Sequence, residues 1–286
     1  MTEAATESSE AVWFPPTCKT LTSRGDAPVL IAVTGESGVG KSHLGHQLLV
    51  DPDYGPNEVG FIMSEKSLTS YDFDNIHYDF AKGLSDAGDI IDSYRRAATL
   101  GKRLPKTLFF DSLSASCDGE LQRYASEMTF TGQSGRRDKL SEYGDLGAQG
   151  QERLSVLRNE LPCDIVLIVR TKERGRAAPE LAIPGKIIPD NLTGWTDVTL
   201  YMKAEFKRFT DEERAAIGTN LDKFRLPHRT FGTDDSGVWD GTMIQRYFYT
   251  QNTGEVLAKG HHNLNMKERA IIGDVLRKIH GRKPLY

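Results

Sequence analysis

The sequence has few cysteines, no long apolar run and little net charge. Its three cysteines, Cys18, Cys117 and Cys163, are widely spaced, so neither a disulfide framework nor a zinc knuckle fits them. No stretch approaches the roughly 18 apolar residues that cross a bilayer, and residues 1–10 lack the basic and apolar regions of a secretion signal. The net charge of −4 gives no overall attraction to nucleic acid, so any such contact requires local basic segments. We therefore expect a protein of a reducing cytoplasm with no membrane partner.

A glycine-rich loop at residues 35–42 is the strongest feature of the sequence. It follows the apolar run 29–34 and precedes the helix-like segment 43–50, which is the order of strand, loop and helix that a phosphate-binding loop requires. Its glycines let successive N–H groups point at one anion, and the helix N-terminus adds partial positive charge. The predicted ATP-binding residues are Gly35, Glu36, Ser37, Gly38, Val39, Gly40, Lys41 and Ser42. Lys41 is expected to reach the β- and γ-phosphates, and the Ser42 hydroxyl to ligate Mg²⁺.

The hydrophobic pattern predicts an α/β fold with a mostly parallel sheet and helices on both faces. Strand candidates at residues 58–63, 76–80, 106–111 and 164–170 alternate with helical patterns at 43–50, 89–100 and 142–161. Residues 197–206, 224–231 and 243–251 are expected to be shorter, antiparallel strands. Asn265, with Glu268 three residues later, is the predicted N-cap of a C-terminal helix.

These patterns divide the chain into three predicted parts. Residues 1–24 form a polar tail in which Trp13 and Phe14 could pack on their own domain or dock on a neighbouring subunit. Residues 25–210 form the core, and residues 211–286 form the C-terminal strands and helix packed on it.

Three charged residues follow predicted strands, where ligands of parallel sheets bind. Asp111 ends the strand 106–111 and is expected to hold Mg²⁺ opposite Ser42. Many ATPases with such a loop carry a glutamate directly after that aspartate, but this chain has Ser112, so we expect the general base to be Glu65. Arg170 could contact the γ-phosphate or report its loss. Lys41, Glu65 and Arg170 are therefore the predicted catalytic residues.

Two long segments, residues 112–141 and 171–194, are expected to be functional loops. Both combine glycine with clustered cations, a composition that suits contacts to a flexible phosphate chain. Both also carry acidic residues, so a solvated surface is the alternative. The candidate DNA-binding residues are Arg136, Arg137 and Lys139 in the first segment and Lys172, Arg174 and Arg176 in the second.

Five segments, 35–42, 61–65, 108–115, 144–161 and 165–170, resemble the RecA-like recombinase core, particularly its compact bacteriophage versions. The similarity spans roughly residues 25–210 in the family's order. It implies a RecA-like P-loop NTPase core that uses ATP and Mg²⁺ and assembles head-to-tail on single-stranded DNA, as a filament or ring of identical subunits. It also implies that Glu65 is the base, that the two loops line the DNA, and that the protein acts in the bacterial host cytoplasm if it is phage-encoded.

The resemblance suggests one contact between subunits and shows one departure. A late lysine of this family can reach the nucleotide of the adjacent subunit, and Lys259 is its match here. Where the family commonly has an amide pair after the strand 165–170, this chain has Arg170 and Thr171, which leaves the coupling between DNA and ATP open.

The leading hypothesis is a Mg²⁺-dependent ATPase that binds single-stranded DNA in homologous recombination or strand annealing. A hexameric helicase, a helicase loader and a packaging ATPase share the nucleotide site and are alternatives. A P-loop kinase is a further alternative, because residues 170–176 could provide its arginine-bearing lid.

Overall fold

The computed structural model describes residues 27–65, 76–132, 135–174, 177–218, 225–236, 238–251, 258–261 and 263–286. The predicted tail and hook at residues 1–24 lie outside this range, as does Arg176. The strands are β1 (Leu30–Gly35), β2 (Val59–Met63), β3 (His77–Phe80), β4 (Thr107–Asp111), β5 (Asp164–Arg174), β6 (Ala177–Leu181), β7 (Val198–Arg208), β8 (Arg229–Thr233), β9 (Trp239–Tyr249) and β10 (Lys267–Arg269). The helices are α1 (His43–Val50), α2 (Leu84–Thr99), α3 (Leu113–Glu127), α4 (Lys139–Asn159), α5 (Ile187–Trp195), α6 (Asp211–Gly218) and α7 (Ile272–Ile279). No helix within these ranges is both long enough and apolar enough to traverse a bilayer.

All of these strands belong to one sheet with the order β10-β9-β7-β1-β5-β4-β2-β3, in which β6 pairs with β5 and β8 pairs with β9. The six strands from β7 to β3 run parallel to their neighbours on this path. Strand β9 runs antiparallel to β7, β8 and β10. The predicted α/β fold, with antiparallel C-terminal strands and a terminal helix, is confirmed. The predicted domain division at residue 210 stays a prediction.

The core lies on both faces of the parallel strands. In β1, Leu30 and Ala32 pack into the cluster formed with α2, α3, α4 and α5, whereas Ile31 and Val33 pack into the cluster formed with α1 and α7. Successive side chains of a strand point to opposite faces, so a strand covered on both sides must be apolar throughout. This requirement explains the continuous apolar run before the phosphate loop.

The two segments expected to be long loops are largely regular, which corrects the sequence analysis. Helix α3 occupies most of the first, and its N-cap is Ser112, whose hydroxyl accepts a hydrogen bond from the Ala115 N–H at 3.2 Å. The buried side of α3 includes the polar residues Ser114, Ser116 and Glu120. The apolar residues of α3 therefore do not recur with the spacing by which a helix is recognised in a sequence. In the second segment β5 continues through Arg174 and pairs with β6, and α5 follows.

The predicted N-cap at Asn265 is wrong. Glu268 accepts a hydrogen bond from the Asn265 N–H at 2.8 Å, as in a capping box, but these residues lead into β10. The edge of β9 supplies backbone hydrogen-bond partners for residues 267–269, so these residues form a strand and not the first turn of a helix. Helix α7 begins only at Ile272, and it buries Ile272, Val275, Leu276 and Ile279.

Candidate nucleotide-binding site

The phosphate loop lies between the end of β1 and the start of α1. Gly38 and Gly40 have φ values of 78° and 99°, which residues with a side chain rarely adopt. The Lys41 ammonium, which is 6% exposed, donates hydrogen bonds to the carbonyls of Gly35 at 2.7 Å and Glu36 at 2.6 Å. The loop is therefore curled around a buried cation.

Burial lowers the pKa of Lys41 to about 8, and several nearby charges modify this shift. The carboxylates of Asp111, Glu65 and Glu36 raise the pKa, whereas the Arg170 guanidinium lowers it. A buried cation with a lowered pKa is stabilised by an added anion. Together with the backbone curl at the start of α1, this makes the loop a suitable site for the phosphates of a nucleotide.

Strand order brings Asp111 to the same edge of the sheet. It is the last residue of β4 and is 2% exposed. It pairs with Met63 at the end of β2, and Gly35 pairs with Arg170 of β5, which lies between β1 and β4. A buried carboxylate facing a phosphate loop has the charge and oxygen ligands that suit Mg²⁺, as does the Ser42 hydroxyl.

Glu65 lies two residues beyond β2 and is held by the residue after Asp111. The Ser112 hydroxyl donates a hydrogen bond to Glu65 Oε1 at 3.1 Å, and Arg170 Nε lies 3.7 Å from the same oxygen. The Glu65 side chain is 40% exposed, so water can reach it. Ser112 thus orients a carboxylate from the neighbouring strand instead of supplying one.

Arg170 has a second carboxylate partner that the sequence did not indicate. Its Nη2 donates a hydrogen bond to Asp118 Oδ2 of α3 at 2.7 Å, and its backbone N–H donates to Ser114 Oγ at 3.0 Å. Burial raises the pKa of Asp118, and Arg170 acts against that shift. Arg170 therefore links the end of β2 to α3 beside the phosphate loop.

Arg246 of β9 was also missed, because 207 residues separate it from its partner. Its Nε donates a hydrogen bond to the Val39 carbonyl of the phosphate loop at 2.9 Å, and its Nη1 donates to Thr230 Oγ1 at 2.7 Å. A Cβ on Gly40 would lie 2.8 Å from Arg246 Nε, so the guanidinium packs directly against the loop. No local sequence signal could have found this contact.

The candidate DNA-binding residues have different surroundings. Arg136, Lys139 and Lys172 are exposed. Arg137 is bound by Glu142, a buried carboxylate of α4. The backbone of Arg174 lies in β5, whereas its side chain is outside the described part of the chain.

Lys172 lines a cavity together with the phosphate loop. This cavity of about 380 Å³ is also lined by Arg170, Asp118 and Ser37. A ligand in this cavity would contact the β5–β6 hairpin and the phosphate loop at once.

Lys259 lies away from this edge of the sheet. Its ammonium donates hydrogen bonds to the carbonyls of Thr196 at 2.6 Å and Thr193 at 3.1 Å, at the C-terminal end of α5. Its backbone pairs with Thr199, near the start of β7. A cation there stabilises the helix terminus. The predicted contact with an adjacent subunit's nucleotide stays a prediction, and it would require Lys259 to leave these carbonyls.

The fold and the site define an α/β P-loop ATPase. The chain belongs to the family whose model is described as an AAA domain, which matches residues 27–262. None of the curated proteins matches the chain.

Proposed function

We propose that this protein is a Mg²⁺-dependent ATPase that binds single-stranded DNA and acts in homologous recombination or strand annealing as an assembly of identical subunits. The observation that carries the proposal is the meeting of Lys41, Glu65, Asp111 and Arg170 at one edge of the parallel strands. Lys41 belongs to the phosphate loop, Asp111 ends β4, and Glu65 lies just beyond β2. Arg170 lies within β5, where the pairing of β5 with β1 ends. This set contains the cation, base, metal ligand and sensing group that phosphoryl transfer to water requires.

In this proposal Lys41 exchanges its two carbonyl partners for phosphate oxygens. Glu65, oriented by the Ser112 hydroxyl, accepts a proton from the attacking water. Ser42 and Asp111 would hold Mg²⁺, which neutralises charge on the β- and γ-phosphates when bound. The helix N-terminus and the loop N–H groups orient the phosphates.

Arg170 supports the link between hydrolysis and DNA. Its guanidinium lies between Glu65 and Asp118, and Lys172 follows two residues later on the same strand. A change in the partners of Arg170 when the γ-phosphate leaves would shift the β5–β6 hairpin. We propose that Lys172, Arg174 and Arg176 bind DNA in the ATP state and release it afterwards, with contributions from Arg136, in the turn before α4, and from Lys139, the first residue of α4.

No observation in the described part of the chain specifically favours the kinase alternative. The segment expected to form an arginine-bearing lid instead continues β5 through Arg174, and this strand pairs with β6. The other DNA motors share every element of the site. Electron microscopy with ATP and single-stranded DNA separates open filaments, which are expected of a recombinase, from closed rings, which are expected of a hexameric helicase.

The decisive measurement is phosphate release with and without single-stranded DNA over a range of salt concentrations. We expect DNA to stimulate hydrolysis and the stimulation to fall steeply with salt, because cation contacts to phosphates are lost as salt rises. Lys41→Ala is the matched inactive control. A chain that binds no adenine nucleotide, or whose hydrolysis ignores DNA at every salt concentration, would refute the proposal.

A further inference from the structure

Strands β7, β8, β9 and β10 carry a second surface beside the proposed site, on which exposed and half-buried side chains surround the buried Tyr201 and Met243. Residues directly opposite each other in antiparallel strands share a face, and alternate residues along a strand do so too. Tyr247 lies between Lys203 and Arg269, and Tyr249 lies between Tyr201 and Lys267. The same face continues with Glu205, Gln245 and Arg229 in one row and Lys207, Met243 and Phe231 in the next. We call this surface the basic-aromatic face.

The charge of the basic-aromatic face is strongly positive. Its five cations are Lys203, Lys207, Arg229, Lys267 and Arg269, and its one carboxylate is Glu205. Glu205 is bound by Lys267 at 2.6 Å, and Lys207 is bound at 3.1 Å by Glu213 of α6, outside the face. The exposed cations Lys203 and Arg269 lie outside both of these ion pairs, so the face has a net positive charge.

His228, which lies beside Tyr247, is also surrounded by positive charge. Burial, as the largest cause, and the charges of Arg229, Arg269 and Arg246 together lower the pKa of His228 to about 4. Its ring lies 6.4 Å from that of Tyr247. The positive potential therefore extends to the aromatic part of the face.

Half-buried aromatic rings lie among these cations. The Lys267 ammonium lies 3.8 Å from the centre of the Tyr247 ring and 5.7 Å from that of Tyr249. A cavity of about 440 Å³ opens at this end of the face, with Tyr247, Lys267, Arg269 and Tyr286 in its lining. Two carboxylates also line it, and each has a cation of its own: Glu268 is paired with Lys278, and Asp274 with Arg277. This space is large enough for a nucleobase beside Tyr247. Lys267 would move from the ring to a phosphate as the base enters.

We propose that the basic-aromatic face binds single-stranded DNA, with Lys203 and Arg269 contacting phosphates and Tyr247 and Tyr249 stacking on bases. The proposal rests on the proposed function, since it adds a second contact surface for the same ligand, separate from the β5–β6 hairpin. Interleaved cations and aromatic rings suit unpaired strands, whose bases expose both faces. In a duplex the faces of the bases are stacked on one another, so the tyrosine rings could not stack on them.

The test is fluorescence anisotropy of a labelled oligothymidine with the full chain and ATP over a salt series. For Lys203→Gln/Arg269→Gln, we expect the slope of log affinity against log salt to fall by about 1.4, since each phosphate contact on a single strand contributes about 0.7. For Tyr247→Leu, we expect roughly tenfold weaker binding with the same slope, because a stacked base is lost. DNA-independent ATP hydrolysis should not change in either variant.

The matched control is Arg208→Gln/Lys102→Gln, which removes two exposed cations outside the face and should leave the slope unchanged.

If Lys203→Gln/Arg269→Gln binds with unchanged slope and affinity while Lys172→Gln binds more weakly, the face proposal fails and the proposed function stands. If the unsubstituted chain binds no oligonucleotide, both fail. Equal affinity for duplex, unaffected by Tyr247→Leu, would overturn the assignment to single strands.

Discussion

Among single residues, Lys41 carries the clearest electrostatic signature. Its pKa of about 8 in the folded protein lies below the ordinary 10.5, because burial disfavours the charged ammonium. Between these two values the unfolded chain binds more protons than the folded one, so this group makes the free energy of unfolding rise with pH in that window. Below about pH 8 the folded protein holds the ammonium in its charged form.

ATP binding should therefore weaken as pH rises above about 8. We expect about a tenfold loss of affinity per pH unit, accompanied by uptake of about one proton on binding. Calorimetry at pH 9 in two buffers of different ionisation enthalpy measures that proton. Lys41→Met should abolish both the uptake and the pH dependence, whereas uptake in that variant would place the proton elsewhere.

Glu65 is predicted to act in turnover and not in binding. Glu65→Gln keeps the hydrogen bond from Ser112 but removes the base, so we expect hydrolysis to fall by about 10²- to 10⁴-fold with ATP affinity little changed. Single-turnover phosphate release and nucleotide titration separate the two effects. The exposed Glu152→Gln is the control, and retained hydrolysis in Glu65→Gln would remove this residue from the role.

At the scale of elements, β9 supports the phosphate loop through Arg246. Arg246→Met removes a charged donor to the Val39 carbonyl, and such a hydrogen bond contributes about 1.5 to 3 kcal/mol. We expect the KM for ATP to rise about tenfold or more with a smaller change in kcat. Arg208→Met, on the neighbouring strand, should leave both unchanged. A fall in kcat at constant KM would instead indicate a direct role in the reaction.

Whether a strand or helix could be predicted from the sequence depended on which residues pack against it. The strands buried on both faces were recognised from continuous apolar runs such as residues 165–169. Helix α3 was missed because Glu120 occupies a buried position, where Ser85 and Arg123 satisfy its carboxylate. Strand β10 was missed because residues 267–269 become a strand only through the edge of β9. Partners distant in sequence decided both elements.

In the whole molecule, the C-terminal helix is tied to the loop after α1 by a buried cation. Arg277, whose side chain is 2% exposed, binds Asp51, Asp53 at 2.7 Å and Asp274 at 3.1 Å. Asp274 also accepts hydrogen bonds from the backbone N–H groups of Leu285 and Tyr286. The end of the chain is thereby held against the core.

Arg277→Met should destabilise the protein by roughly 3 to 5 kcal/mol, because it leaves the buried carboxylates of Asp51 and Asp274 without their cation. Urea unfolding followed by circular dichroism measures the change. The exposed Arg282→Met is the control and should stay within about 0.5 kcal/mol of the unsubstituted protein. If the free energy of unfolding of Arg277→Met falls by less than about 1 kcal/mol, water must solvate the two carboxylates in place of the cation.

The sequence by itself determined the phosphate loop, the parallel strands, the place of Asp111 at the end of β4 and that of Glu65 just beyond β2. These features are local, because a glycine pattern or an apolar run sets them within a few residues. The expectation that Arg170 ends its strand is wrong, because β5 continues through Arg174 to pair with β6. Only the tertiary structure decided that Ser112 and Arg170 hold Glu65, that Arg246 supports the loop, and that cations and tyrosines of four strands share one face. Strand order and register bring these residues together, and pairing across large sequence separations leaves no local pattern to detect.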